Sequence, residues 1–194
     1  MLHLWIRAEQ RKNEKRVGVT PRDASKLICK GVKVTVEESA DRIISTEEYH
    51  KVGCKIANQH SWLKAPNDAI ILGLKELSED VEKLEHKHIM FGHAFKGQTS
   101  GLKLLKKFKA GKGLLYDLEY LTDPEGRRLA AFGYWAGYAG AAVSLKAYAD
   151  QQNTKGICGP VSVFENKEKM VDYIRNAFVN VENKFPKILV AGAL

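Results

Sequence analysis

The sequence predicts an α/β fold, namely a Rossmann-like, mainly parallel sheet with flanking helices. Short apolar segments of strand length alternate with amphipathic segments of helix length, and glycine or proline stands at many of the junctions. Such alternation is typical of parallel sheets, because each crossover between parallel strands needs room for a helix. At 194 residues and 44% hydrophobic content, the chain can form one large domain or one and a half smaller ones.

The first elements predict a βαβ unit. Residues 2–7 alternate with period two, as a strand does. Thr20 suits a helix N-cap and Pro21 the first helical position, so a helix should begin there and end at Gly31. A second strand is predicted at 32–36.

The alternation continues to about residue 120. The predicted elements are, in order, a helix at 45–52, strands at 55–57 and 69–74, a helix at 77–86, a strand at 88–94, a helix at 100–110 and a strand at 114–120.

The composition changes after the turn at 123–126. Residues 132–148 are rich in alanine, glycine and aromatic residues and predict a long helix that connects two domains. A second helix is predicted at 167–183. Residues 187–194 then read as an apolar strand that resembles the start of a second dinucleotide-binding unit, cut off after one glycine.

Charge and composition narrow the classes of protein. The net charge of +8 permits an anionic partner, either a nucleic acid or a carboxylate-rich small molecule, and does not by itself choose between them. Five lysines at 103–112 alternate with apolar residues at helical spacing, which indicates the solvated side of a helix rather than a nucleic-acid surface. The sequence shows neither a membrane span nor a signal peptide, so we expect a cytoplasmic protein. Its three cysteines have no metal-site spacing.

Lys75 and His93 are the strongest candidates for a functional site. Each follows an apolar strand, and ligands of open α/β sheets bind beyond the carboxyl ends of the strands. The pair could therefore perform acid-base chemistry in one cleft. Taken alone, each also suits a structural reading: a lysine that leaves its strand into solvent, and a histidine hydrogen-bonded at a strand end.

A family resemblance runs through six segments of the chain. These are Arg-Ala-Glu at 7–9, Glu-Lys-Arg-Val-Gly-Val-Thr-Pro at 14–21, Gly-Leu-Lys-Glu at 73–76, Gly-His-Ala-Phe-Lys-Gly-Gln at 92–98, Leu-Tyr-Asp-Leu-Glu at 115–119 and Gly-Arg-Arg-Leu-Ala-Ala-Phe-Gly at 126–133. In this order they resemble the amino-terminal half of the NAD-dependent, L-lysine-forming saccharopine dehydrogenases. Alanine dehydrogenases and transhydrogenase subunits look similar near 14–21 and at Lys75-Glu76, but they lack the segments around His93 and Tyr116.

The resemblance implies an activity and roles for individual residues. The activity is oxidation of saccharopine by NAD to an imine, followed by hydrolysis to lysine and 2-oxoglutarate, without a metal. Lys75 would take the proton of the secondary amine, and His93 would serve water addition and collapse of the carbinolamine.

Other matched residues would bind the substrate or tune the site. Arg16 and Arg128 would hold carboxylates through their planar guanidinium forks. Phe132 would pack beside the 2-oxoglutarate portion, and Lys96 and Gln98 could contact substrate. Four charged residues would set the pKa values of the acid-base pair: Arg11, Glu14, Glu76 and Glu119. In the family, a lysine more usually stands at the position of Arg11 and pairs with the glutamate that Glu14 matches.

The resemblance also implies a domain organisation. Residues 1–133 would form a Rossmann-like substrate-binding domain, and residues 134–194 the connecting helices and first strand of a truncated nucleotide-binding domain. NAD would be bound mainly by residues beyond Leu194, so the chain would need the rest of a longer parent or a companion chain. Self-association through 188–190 is a further expectation, and neither nucleic acid nor membrane is expected as a partner. The alternatives are an alanine-dehydrogenase-like subunit and a non-catalytic module that binds 2-oxoglutarate or an amino acid.

Overall fold

The chain divides into two compact units, Met1–Ala131 and Phe132–Leu194. The structure is a computed structural model, and it describes residues 1–131, 133–154, 156–181 and 186–189. The first unit carries the sheet, and the second consists mainly of two helices.

A six-stranded, all-parallel sheet forms the first unit, which confirms the predicted Rossmann-like fold. Its strand order is β3-β2-β1-β4-β5-β6, so the chain reverses its direction of travel across the sheet between β1 and β4. This is the topological switch point, where open α/β sheets bind their ligands. The strands are β1 His3–Ile6, β2 Lys33–Glu37, β3 Lys55–Ala57, β4 Ala69–Leu72, β5 Lys87–Met90 and β6 Leu114–Asp117.

Three helices accompany the sheet: α1 Pro21–Cys29, α2 Thr46–Lys51 and α3 Thr99–Gly111. The predicted start of α1 is confirmed, because the Thr20 hydroxyl accepts the backbone N–H of Asp23 at 3.3 Å. The Ser45 hydroxyl caps α2 in the same way. These caps fix where each helix leaves the carboxyl edge of the sheet.

Neighbouring residues of the same strand enter different core clusters. Trp5 and Ile71 belong to a cluster with Phe108 of α3, whereas Ile6 and Leu72 belong to one with side chains of α1 and α2. Since successive side chains of a strand point to opposite faces, the two clusters cover the two faces of the sheet. The sheet is therefore buried on both sides, and its carboxyl edge is left for ligands.

The predicted helix at 77–86 is wrong, because these residues form an irregular connection between β4 and β5. Leu77 and Leu84 are nevertheless buried in the core. The backbone groups, however, bond outside the segment: the N–H of Leu84 donates to the C=O of Lys107 at 3.1 Å, and its C=O accepts the N–H of Gly113 at 2.9 Å. Tertiary partners thus replace the helical hydrogen bonds.

The second unit contains α4 Gly133–Thr154 and α5 Lys167–Ala177. Both helices were predicted, although α4 runs further than residue 148 and α5 ends before 183. Residues 187–189 are not part of a strand, and 190–194 lie outside the described residues. The start of a second Rossmann domain therefore stays a prediction. None of the helices described combines the length and hydropathy that crossing a bilayer requires.

Candidate functional site

The candidate site lies at the carboxyl edge of the sheet, just past the ends of β1, β4, β5 and β6. β4 and β5 end earlier than predicted, so Lys75 and His93 each lie three residues beyond a strand. The two segments nevertheless stay side by side, because the N–H of Phe91 donates to the C=O of Leu74 at 3.3 Å. Neighbouring strand ends therefore carry the predicted acid-base pair.

Lys75 is half-buried, and its charge acts on the carboxylate of Glu14. Glu14 and Arg16 form a bidentate ion pair. The carboxylate oxygens Oε1 and Oε2 of Glu14 accept hydrogen bonds from Nε and Nη2 of Arg16 at 2.8 and 2.6 Å, respectively. The hydrogen bonds from Arg16 lower the pKa of Glu14, and the charge of Lys75 contributes in the same direction. Glu14 therefore faces both the predicted carboxylate binder and the predicted base.

Arg11 does not pair with Glu14, contrary to the expectation from the family. Its Nη1 lies 3.5 Å from Oε1 of Glu76, on an exposed surface. The fork of Arg16 already occupies both oxygens of Glu14, which explains the difference. The predicted roles of Arg11 and Glu76 beside Lys75 stay predictions.

Three cationic or titratable side chains surround Glu119, whose side chain is only 10% exposed. Lys96 Nζ lies 2.8 Å from Oε2, Arg128 Nη2 lies 3.3 Å from the same oxygen, and His93 Nδ1 lies 3.5 Å from Oε1. The hydrogen bond from Lys96 is the main reason that the pKa of Glu119 is lowered, and the charge of Arg128 adds to it. The carboxylate of Glu119 thus brings three other predicted site residues together.

The backbone at His93 adopts a left-handed conformation, with φ at 48°. Residues other than glycine rarely adopt this conformation, and such strain is concentrated at functional sites. The segment is held from β6, because Oδ1 of Asp117 accepts the N–H of Gly92 at 3.1 Å and that of Glu119 at 3.0 Å. Asp117 therefore links the two segments that present His93 and Glu119.

The structure thus collects the predicted residues at two places along one edge. Arg11, Glu14, Arg16, Lys75 and Glu76 stand around the ends of β1 and β4. His93, Lys96, Glu119 and Arg128 stand around the ends of β5 and β6. Gln98 precedes α3 and is exposed. Phe132 lies outside the described residues, so its predicted packing against substrate stays a prediction.

Sequence reasoning gave no role to three charged residues that shape this edge: Arg7, Glu9 and Asp117. Arg7 and Glu9 directly follow β1 and are almost fully enclosed. Asp117 ends β6 and holds the loop of His93. The signal that could have found them is the one used for Lys75, a charged residue at the carboxyl end of an apolar strand.

The switch point of this unit does not fit a dinucleotide. The β1–α1 connection has one glycine, Gly18, where a pyrophosphate-binding turn needs several, and the carboxylates of Glu9 and Glu14 line the same cleft. The acid at the end of β2, Glu37, is fully buried. Its carboxylate accepts four hydrogen bonds from the protein, one from Trp5 Nε1 and one each from the backbone N–H groups of Ala8, His60 and Trp62. It is thus not available to a ribose. Within the described residues, no cluster of histidine, cysteine or carboxylate side chains could hold a metal ion.

The fold and the charged carboxyl edge define a domain of the alanine dehydrogenase class. The family model described as alanine dehydrogenase/PNT, N-terminal domain, matches residues 5–139, and the chain belongs to this family. An L-alanine dehydrogenase structure shares the fold with a TM-score of 0.61 at 17% identity, over 80% of this chain and 43% of that one.

Curated relatives narrow the similarity to one kind of enzyme. The chain is 43% identical to the saccharopine dehydrogenase [NAD(+), L-lysine-forming] of Schizosaccharomyces pombe, over 99% of this chain and 54% of the relative. It is also 43% identical to the protein of that name from Yarrowia lipolytica, over 98% of this chain and 53% of the relative. The chain thus spans about half the length of the curated relatives it matches. The predicted resemblance to the amino-terminal half of these enzymes is confirmed.

Proposed function

We propose that the chain is the substrate-binding and acid-base half of an NAD-dependent, L-lysine-forming saccharopine dehydrogenase. The complete enzyme would convert saccharopine, NAD and water to lysine, 2-oxoglutarate and NADH. The observation that carries the proposal is the 43% identity to curated relatives of that name over 99% of the chain. The charged carboxyl edge of the sheet supports it chemically.

The arrangement of cations supports binding of a substrate with three carboxylates. Arg128 and Lys96 both pair with the carboxylate of Glu119, so two cationic side chains stand together at this cluster. Arg16 presents a second guanidinium at the other cluster, about half exposed although paired with Glu14. Guanidinium groups bind carboxylates bidentately and would fix the orientation of the substrate.

Lys75 and His93 would move the protons of the reaction. Lys75 would accept the proton of the substrate's secondary amine, and the nearby carboxylate of Glu14 would stabilise the ammonium ion that results. His93, beside Glu119, would give and take protons while water adds to the imine carbon and the carbinolamine collapses. Glu119 would hold the imidazole ring through its Nδ1 atom.

NAD would be bound by parts of the protein other than the switch point of the first unit, whose lining residues do not suit a dinucleotide. When bound in the complete enzyme, NAD would supply the hydride acceptor for the oxidation. The contribution of this chain is the binding of the amino-acid substrate and the handling of protons.

The proposal is tested on the complete enzyme that contains this chain, by following NADH oxidation with lysine and 2-oxoglutarate. Lys75→Met and His93→Gln should each lower kcat by about 10²–10⁴-fold, as expected for loss of a general acid or base. Lys87→Met and His50→Gln serve as matched controls, because Lys87 opens β5 at the opposite edge of the sheet and His50 is exposed on α2.

Two results would contradict the proposal. Unchanged turnover in Lys75→Met or His93→Gln would remove these residues from the reaction. Saturable binding of 2-oxoglutarate without any NADH oxidation in the complete, unaltered protein would indicate a non-catalytic binding module instead.

A further inference from the structure

Arg7 and Glu9 form a buried ion pair that the proposed reaction does not use. Arg7 Nη1 lies 3.4 Å from Oε2 of Glu9, and their side chains are 1% and 10% exposed. Burial lowers the pKa of Arg7, and the charge of Glu9 opposes this effect. Because burying two charges costs desolvation energy, such a pair persists where further hydrogen bonds compensate.

Those further hydrogen bonds all go to backbone groups, and most of them reach the segment of Lys75. Oε1 of Glu9 accepts the N–H of Leu74 at 2.6 Å, and Oε2 accepts the N–H of Lys75 at 3.1 Å. Arg7 Nη2 donates to the C=O of Lys75, and Nη1 donates to the C=O of Ala8 at 3.1 Å. One ion pair from β1 therefore holds both the N–H and the C=O of Lys75.

Gly73 allows this arrangement. A Cβ atom at residue 73 would overlap Nε, Cζ and Nη2 of Arg7, so a side chain there would displace the guanidinium. The backbone of Arg7 also continues the pairing with β4, because its N–H donates to the C=O of Leu72 at 3.0 Å. The three residues Arg7, Glu9 and Gly73 thus act together, and we call them the β1 clamp.

We propose that the β1 clamp positions Lys75 for proton transfer, with Arg7 and Glu9 as positioning residues that act through the backbone of Lys75. Lys75 lies beyond the end of β4, where the sheet no longer fixes its backbone. The clamp restores that restraint with charge-assisted hydrogen bonds on both sides of its Cα atom. The inference rests on the proposed function, because it takes Lys75 to be the proton acceptor.

Glu9→Gln is the sharpest test, because glutamine keeps the size of the side chain and one acceptor oxygen. Its NH₂ group cannot accept either N–H, so one of the two backbone bonds to residues 74 and 75 is lost. In the complete enzyme, kcat should fall about 10- to 100-fold, as expected for a displaced catalytic group, while KM for saccharopine changes less. Glu47→Gln, on the exposed side of α2, is the matched control.

Two measurements separate positioning from general stability. In a Lys75→Met background, Glu9→Gln should lower the residual rate less than about 2-fold, because nothing is left to position. Amide hydrogen exchange in this chain should become about 10-fold faster or more at Leu74 or Lys75. Exchange at Gly113, whose N–H bonds to Leu84, should stay unchanged and report an intact fold.

The outcomes distinguish the clamp from the function on which it rests. A complete, unaltered enzyme without NADH oxidation would overturn the proposed function, whereas slow exchange at both amides in Glu9→Gln would overturn the clamp itself. An unchanged kcat in Glu9→Gln would overturn the positioning role. The same role would be overturned if Glu9→Gln lowered the rate of the Lys75→Met enzyme by the same factor as it lowers that of the unaltered enzyme. If Glu9→Gln does not fold, Arg7→Lys, which keeps the charge but loses the fork that donates to the C=O of Lys75, replaces it in the kinetic tests. Its kcat should fall about 10- to 100-fold, and an unchanged kcat would overturn positioning.

Discussion

Replacing His88 should make the first unit less sensitive to acid. His88 is 1% exposed in β5, between the rings of Trp62 and Phe108 at centroid distances of 5.2 and 5.4 Å. Burial is the main cause that lowers its pKa from 6.5 to about 3, and the positive charge of Arg7 adds to it. The folded state therefore keeps this imidazole neutral at pH values where the unfolded chain protonates it.

The sign and the size of the effect follow from proton linkage. Between pH 6.5 and about 3 the unfolded state binds the additional proton, so the free energy of unfolding falls as the pH falls. From pH 7 to pH 5 this single group should account for a loss of about 2 kcal/mol. The carboxylates whose pKa values are lowered, such as Glu14, act mainly at lower pH.

Urea unfolding of unaltered and His88→Leu protein at pH 7, 6 and 5 provides the assay. Trp5 and Trp62 are both buried in the first unit, so tryptophan fluorescence reports its unfolding. The loss of unfolding free energy between pH 7 and 5 should be smaller by about 2 kcal/mol in His88→Leu. His50→Gln, an exposed change, should behave as the unaltered protein does. Equal losses in His88→Leu and unaltered protein would refute the reasoning.

Three further changes test the site itself. Arg128→Met should raise the KM for saccharopine about 10- to 100-fold in the complete enzyme, because the charged hydrogen bond from Arg128 to a substrate carboxylate is lost. Steady-state kinetics would measure this change. Gly92→Ala should destabilise the unit by about 1–3 kcal/mol in thermal unfolding, because its Cβ would lie 3.2 Å from Oδ2 of Asp117 and 3.0 Å from Cδ2 of Leu115. Arg16→Met should raise the pKa of Glu14 towards its usual value, as carboxyl NMR titration would show.

Matched controls make these results specific. Arg175→Met removes an exposed arginine from α5 and should leave KM unchanged. Gly137→Ala should not destabilise, since its Cβ would meet no atom within 4 Å and alanine favours a helix. A KM unchanged by Arg128→Met, a fully stable Gly92→Ala protein or a Glu14 pKa unaffected by Arg16→Met would each contradict the geometry that motivates it.

Local signals in the sequence determined much of the fold. The N-cap at Thr20 and the proline after it set the start of α1, because capping depends on neighbouring residues alone. The connection at 77–86 was mispredicted because its backbone bonds to α3 and to Gly113, which are distant in sequence.

The sequence indicated where the candidate site residues lie along the sheet better than it indicated how they pair. A charged residue at the end of an apolar strand indicated Lys75 and His93, and the fold brings both to one edge. The partner of Arg11 could not be predicted, because Glu14 and Glu76 are both within reach and the fork of Arg16 decides between them. The roles of Arg7 and Glu9 could not be predicted for a similar reason. Their hydrogen-bond partners are backbone groups, which every residue has and which a sequence therefore does not distinguish.

The buried carboxylate of Glu37 has a consequence for protein engineering. Grafting a glycine-rich turn after β1 would not convert this sheet into a nucleotide carrier, because the acid that a ribose would need already holds four donors. Freeing it would leave those donors unpaired in the interior, at about 1–3 kcal/mol each. A designer would therefore have to rebuild the segment around Trp62 together with the turn before this sheet could take up a nucleotide.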